Sequence, residues 1–150
     1  MKKMLSCVLA VILSALLAGC NSQKGEKLCS IEVLDAAEHN RVAVLVQQRQ
    51  SDITGFFDEN NWTETSKPES EAVPQYIITI YQEKTPTVIK QENDEPYEKI
   101  MEYVTYENSK TIKVSISKNL VHGVAADEFL SVYYVGSEKF FSNLSGLSNA

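Results

Sequence analysis

Imidazole is nearly missing from this chain. Its 150 residues include two histidines, His39 and His122, and neither has a second histidine at helical spacing, which removes the common pairing that seats a catalytic zinc. No Gly-x-Ser-x-Gly elbow is present. A hydrolytic set would have to be gathered from Ser51 or Ser117 with His122 and Asp127. Glycine is also scarce: six are present and none are clustered, so no phosphate-cradling loop exists. The acidic stretches at 58–61 and 92–96 lack the alternating ligands and central glycine of a calcium loop. Positive charge is in deficit, with 14 basic against 20 acidic residues and a net charge of −6. Nucleic acid and anionic headgroups repel such a chain. The sequence therefore offers no cofactor site, no metal site and no nucleic-acid surface.

What is there begins at the first residue. Met1-Lys2-Lys3 carries two positive charges, and from Met4 to Ala18 the chain has no charge at all. That run of 15 residues falls short of the roughly 20 that a membrane-crossing helix needs. A charged start, an apolar middle and small residues at its end describe a secretory signal peptide, residues 1–19. The alternatives are an ordinary secretory signal that happens to hold Cys20, or a short membrane anchor. Leu17-Ala18-Gly19-Cys20 resembles the lipobox of bacterial lipoproteins. The resemblance implies that a signal peptidase recognises Leu17, Ala18 and Gly19, and that Cys20 is acylated and becomes the new first residue. Acyl chains contribute about 0.8 kcal/mol per buried methylene, so two or three chains hold a protein on a bilayer where one lets it go. The expected location is the extracytoplasmic face of the cell membrane.

Loss of residues 1–19 would leave 12 basic and 20 acidic residues, a net charge of −8, and 131 residues, which suits one domain. Cys7 would leave with the leader and Cys20 would be acylated, so Cys29 would remain alone with no internal disulfide. Residues 20–27 read as the lipidated cysteine and a polar tether of at most about 25 Å, and residues 28–150 as the domain.

In that domain two β-rich runs, 30–36 and 41–47, flank a short polar turn and predict a strand pair. In the second, Val42, Val44 and Val46 are expected on one face and Ala43 and Leu45 on the other, with burial on both sides. The period changes at 51–62, where Ile53, Phe56 and Phe57 predict a helix capped by Ser51 or Asp52 and closed by Asn60 or Asn61. Residues 63–74 read as a polar, proline-bearing loop. Strands are predicted at 75–82, 87–91, 111–117 and 129–135. Residues 97–107 suit either a helix or a strand, and strand is favoured from about residue 100. In 111–117 the alternation is plain, with Ile112, Val114 and Ile116 inward and Lys113 toward water. Phe140, Leu144 and Leu147 predict a closing helix.

The fold class expected is α+β, a mostly antiparallel sheet of about five to six strands with two short helices. The order of elements and the tail EFLSVYYVGSEKF (128–140) resemble small lipoprotein domains of Gram-positive bacteria. Tyrosines on the proposed strands, with Trp62, make the remaining functional signal: Trp62, Tyr103, Tyr106 and Tyr133 are the candidates for a partner-binding face. Those rings equally suit the structural role of covering a sheet. The leading expectation is a lipid-anchored, non-catalytic binding domain whose partner is an envelope protein or polymer. The alternatives are a small envelope hydrolase using His122 and a small-ligand or peptide-binding lipoprotein with its pocket beneath the loop 63–74.

Overall fold

The computed structural model describes residues 27–68, 71–84, 96–117 and 131–148. The leader, Cys20, most of the tether, the strand expected at 87–91, and His122 lie outside the described residues. Seven strands form one sheet: β1 (Cys29–Asp35), β2 (Arg41–Gln48), β3 (Thr63–Thr65), β4 (Pro74–Glu83), β5 (Tyr97–Tyr106), β6 (Thr111–Ile116) and β7 (Ser131–Val135). Two helices join them, α1 (Gln50–Phe57) and α2 (Glu138–Ser148). The strand order is β2-β1-β4-β5-β6-β7-β3, and every neighbouring pair runs antiparallel. The architecture is α+β with a mostly antiparallel sheet, as the periodicities predict, with one strand more than the upper expectation.

Alternation makes one face of the sheet apolar. Ile31 and Val33 of β1, Ile78 and Ile80 of β4, Met101 and Tyr103 of β5, and Ile112 and Val114 of β6 pack in one core with Ile53 and Phe57 of α1 and Phe140 and Leu144 of α2. Each helix presents its two residues four positions apart, about one turn, which is why they lie on this face. Asn143 of α2 donates to the carbonyl of Phe56 at 2.9 Å and ties the two helices together.

Four local expectations are corrected. The first helix is preceded by Arg49, whose backbone N–H donates to Asp52 at 3.1 Å, so Asp52 sits inside the first turn and Ser51 caps nothing. It closes at Asp58, in the left-handed region at φ 55°, and a 3-10 turn follows at Glu59–Asn61, so neither asparagine ends it. Asp58 instead joins the two helices, because hydrogen bonds from Ser137 and Asn61 and the nearby Lys139 hold its carboxyl below the usual aspartate range, with Ser137 the largest influence. The segment read as a loop at 63–74 opens with β3, whose three residues pair with β7 at Thr63↔Val135 and Thr65↔Tyr133. Three residues are too few to show a period.

The fourth correction concerns β2, which is an edge strand and not a strand buried on both sides. Val44 and Val46 are 42% and 62% exposed, and β-bulges break its register with β1 near both ends. The first bulge makes Val42 the extra residue, and Val42 packs against the core instead of sharing a face with Val44. A like irregularity makes Ile100 the extra residue in β5, between the pairs Ile80↔Met101 and Tyr81↔Lys99. Ile100 and Met101 are therefore both buried although adjacent, and this is why 97–107 has a mixed helix-and-strand pattern.

Gly136 links β7 to α2, and a methyl group there would fall inside the contact distance of Ile112 Cδ1 and 3.0 Å from Phe141 Cε2. Ile112 is fully buried and has little room to turn aside. Gly136→Ala is expected to destabilise the fold by about 1–3 kcal/mol, read as a lower urea midpoint at unchanged slope. An unchanged midpoint would show that the core yields there.

Candidate functional site

The sheet has two faces, and they divide the predicted tyrosines. Tyr103, on the helix-covered face, is 1% exposed and stacks on Phe57 with ring centroids 4.3 Å apart. Trp62 meets the same cluster edge-on, 5.9 Å from Tyr103 and 5.3 Å from Phe140. Neither ring is placed as part of an open tyrosine face; Tyr103 in particular offers no surface to a partner. Tyr106 and Tyr133 point to the opposite face, which α1 and α2 do not cover among the described residues, because each neighbours a residue of the helix-covered side, Thr105 and Tyr134 respectively.

A polar couple lies inside the aromatic cluster. The Tyr103 hydroxyl donates to Glu59 Oε1 at 2.6 Å. Burial raises the Glu59 carboxyl above its ordinary range, partly opposed by this hydrogen bond. The same withdrawal from water, with the Glu59 charge second, lifts the Tyr103 hydroxyl well above the usual tyrosine value. Trp62 Nε1 is buried nearby and has no hydrogen-bond acceptor among the described residues. Glu59 was hidden in the sequence, where DENN reads as solvated surface; only the 3-10 turn carries it inward.

On the open face the register sets out two rows that cross the strands. One runs Val44–Glu32–Thr79–Glu102–Ser115–Ser131. Apart from Val44 it is polar, and its charged groups are paired within the domain. Arg41 binds Glu32 at 2.7 Å, Tyr81 donates to Glu32 at 3.4 Å, Lys99 pairs with Glu102, and the hydroxyls of Ser115 and Ser131 are 2.9 Å apart. Burial and then the Glu32 charge raise the Tyr81 hydroxyl.

The second row runs Leu34–Ile77–Val104–Lys113–Tyr133–Thr65. All six are half-buried. Tyr106 stands beside this row, one pair further along β5, and is 9% exposed. Burial raises its hydroxyl first, and the neighbouring Tyr133 adds to the shift. Two of the four predicted residues, Tyr106 and Tyr133, thus come together, and Lys113 lies with them. The alternation placed Lys113 toward water but contained no sign of what surrounds it.

Among the described residues no three His, Cys, Asp or Glu side chains gather in a way that would hold a metal ion, and no helix is long and apolar enough to cross a membrane. His39 lies exposed in the β1–β2 turn at φ 55°. Cys29 is buried at the start of β1. No family model, curated protein or solved structure matches this chain.

Proposed function

We propose that this chain is a lipid-anchored, extracytoplasmic binding protein of a bacterial envelope, held by Cys20 and acting without catalysis through the open face of its sheet on an envelope protein or polymer. The sequence Leu17-Ala18-Gly19-Cys20 supports the anchor. The observation that carries the binding role is the half-exposed row centred on Val104, Lys113 and Tyr133, on a face the helices do not cover. Large aromatic rings with a hydroxyl give binding faces much of their energy, since they bury area at low entropic cost.

Two measurements test this. With labelled palmitate, the full-length chain is expected to carry label and sediment with membranes, whereas Cys20→Ser carries none and stays in solution. A serine variant that sediments as firmly as the parent removes the anchor from the proposal. For the binding role, Tyr133→Ala is expected to lower partner recovery from intact envelopes at least tenfold, in line with the loss of one hot-spot aromatic at about 2 kcal/mol. Recovery unchanged by that substitution, together with turnover by the purified chain, would replace the binding reading with a catalytic one.

A further inference from the structure

We infer that Lys113 is the anchoring contact of this open face, and that the partner is a protein segment presenting one carboxylate flanked by apolar side chains. The inference rests on the binding reading above and names the partner's chemistry. The strands carry three basic side chains, Arg41, Lys99 and Lys113. Two are already used within the domain, Arg41 on Glu32 and Lys99 on Glu102. Lys113 has no acidic partner among the described residues, in a chain that holds 20 acidic residues against 14 basic ones. It is half-buried, directly opposite Val104 on one side and Tyr133 on the other.

With its stem half-buried in the row and no acidic partner among the described residues, Lys113 has its ammonium available to a docked carboxylate in a charge-assisted hydrogen bond. The neighbours decide which kind of partner brings it. Leu34, Ile77, Val104 and Tyr133 make most of the row apolar, with Thr65 at its end, so the charge is a single point in a largely apolar strip. At about 4.8 Å per strand the row spans roughly 24 Å, the length of about seven residues of extended chain. A polymer with repeating negative charge would find one free cation here and would also meet Glu32 and Glu102 in the adjoining row. A protein segment with one aspartate, glutamate or C-terminal carboxylate among apolar residues matches both the single cation and the strip. The domain's own acidic character then works as a filter, since it repels anionic surfaces that lack the apolar contact.

Photo-crosslinking in living cells tests this with the full-length chain. Tyr133→p-benzoylphenylalanine is irradiated, and the linked peptide is sequenced by mass spectrometry. The expected adduct is to a protein, at a segment with one carboxylate beside apolar residues. Its yield is expected to fall at least tenfold on Lys113→Gln, to persist on Lys113→Arg, and to fall equally when the partner's carboxylate is changed to an amide. Lys113 makes no ion pair among the described residues, so Lys113→Gln is expected to leave the thermal midpoint unchanged. An adduct to a glycan or a lipid, or a protein adduct whose yield Lys113→Gln leaves unaltered, overturns the single-carboxylate assignment and leaves the binding face standing. If no adduct forms from this position or from a probe at Val104, the binding face itself fails, and this inference with it.

Discussion

Replacing Phe140 by alanine is expected to destabilise the protein by about 3–5 kcal/mol, the largest effect of any single truncation considered for this fold. Phe140 is fully buried at the point where α2 meets the sheet. Its ring stacks on Phe57 at 5.7 Å and meets Trp62, Phe56 and Phe141 edge-on at 5.3, 6.1 and 5.0 Å. Truncation removes the apolar area of the ring and leaves a cavity lined by other rings, which are stiff and refill it poorly. Alanine is the better helix former, but only by a few tenths of a kcal/mol, so the cavity decides the sign. Domains of this size are stable by about 5–15 kcal/mol, and the variant is expected to be marginal at growth temperature. Urea unfolding of the full chain measures it, with Val46→Ala as the reference. Val46 is 62% exposed on the bulged edge of β2, where truncation is expected to stay within about 0.5 kcal/mol. Equal midpoints for the two variants would mean that α2 is not seated on the sheet through Phe140.

The second large effect belongs to Tyr103→Phe, and it depends on pH. Phenylalanine fills nearly the same volume, so the change removes only the hydroxyl that donates to Glu59. A buried acceptor left without its donor costs about 1–3 kcal/mol, and more when it is charged. Because the folded carboxyl of Glu59 titrates above its unfolded value, its contribution to stability is fully present at pH below the unfolded value. That contribution is lost as pH rises through the folded value. The Tyr103 hydrogen bond softens this loss by favouring the charged form, so Tyr103→Phe is expected to cost more near neutral pH than in mild acid. Glu59→Gln removes the titration altogether. It is expected to flatten the pH profile and to exceed the parent in stability near neutrality, where the parent must hold a carboxylate out of water. Combining the two substitutions is expected to cost less than their sum, because both act on one hydrogen bond. A Tyr103→Phe penalty identical at acid and neutral pH would show that Glu59 does not ionise in this cluster.

Much of the sheet was legible because its signals are local. In β6 the residues Thr111 to Ile116 alternate strictly, and the structure buries Ile112, Val114 and Ile116 as that period requires. In α2, Phe140 and Leu144 recur one turn apart and lie in the core. Where the reading failed, the cause was a break in the period. Bulges turn Val42 and Ile100 inward out of sequence, and β3 is too short to carry a pattern at all. The C-terminal cap of α1 was misplaced because Asp58 adopts the left-handed backbone that Asn60 or Asn61 could equally have supplied, and the N-terminal one because Asp52 accepts from the Arg49 N–H from inside the first turn.

The candidate site was half legible for a related reason. Alternation alone requires Tyr133 and Tyr134 to face opposite ways, and likewise Thr105 and Tyr106, but it does not say which way the helices lie. The sequence by itself determined the strand and helix periods, the acidic balance, the poverty in histidine and glycine, and the Leu17-Ala18-Gly19-Cys20 stretch on which the anchor proposal rests. Only the tertiary structure decided that Tyr103 and Trp62 join the aromatic cluster under the helices while Tyr106 and Tyr133 lie on the other face, that Glu59 is half-buried against Tyr103, and that Lys113 is the basic residue of the sheet left without an acid among the described residues. The physical reason is one of range: a period is carried by residues a few positions apart, whereas the neighbours of a side chain on a sheet come from strands that the order β2-β1-β4-β5-β6-β7-β3 brings together from distant parts of the chain.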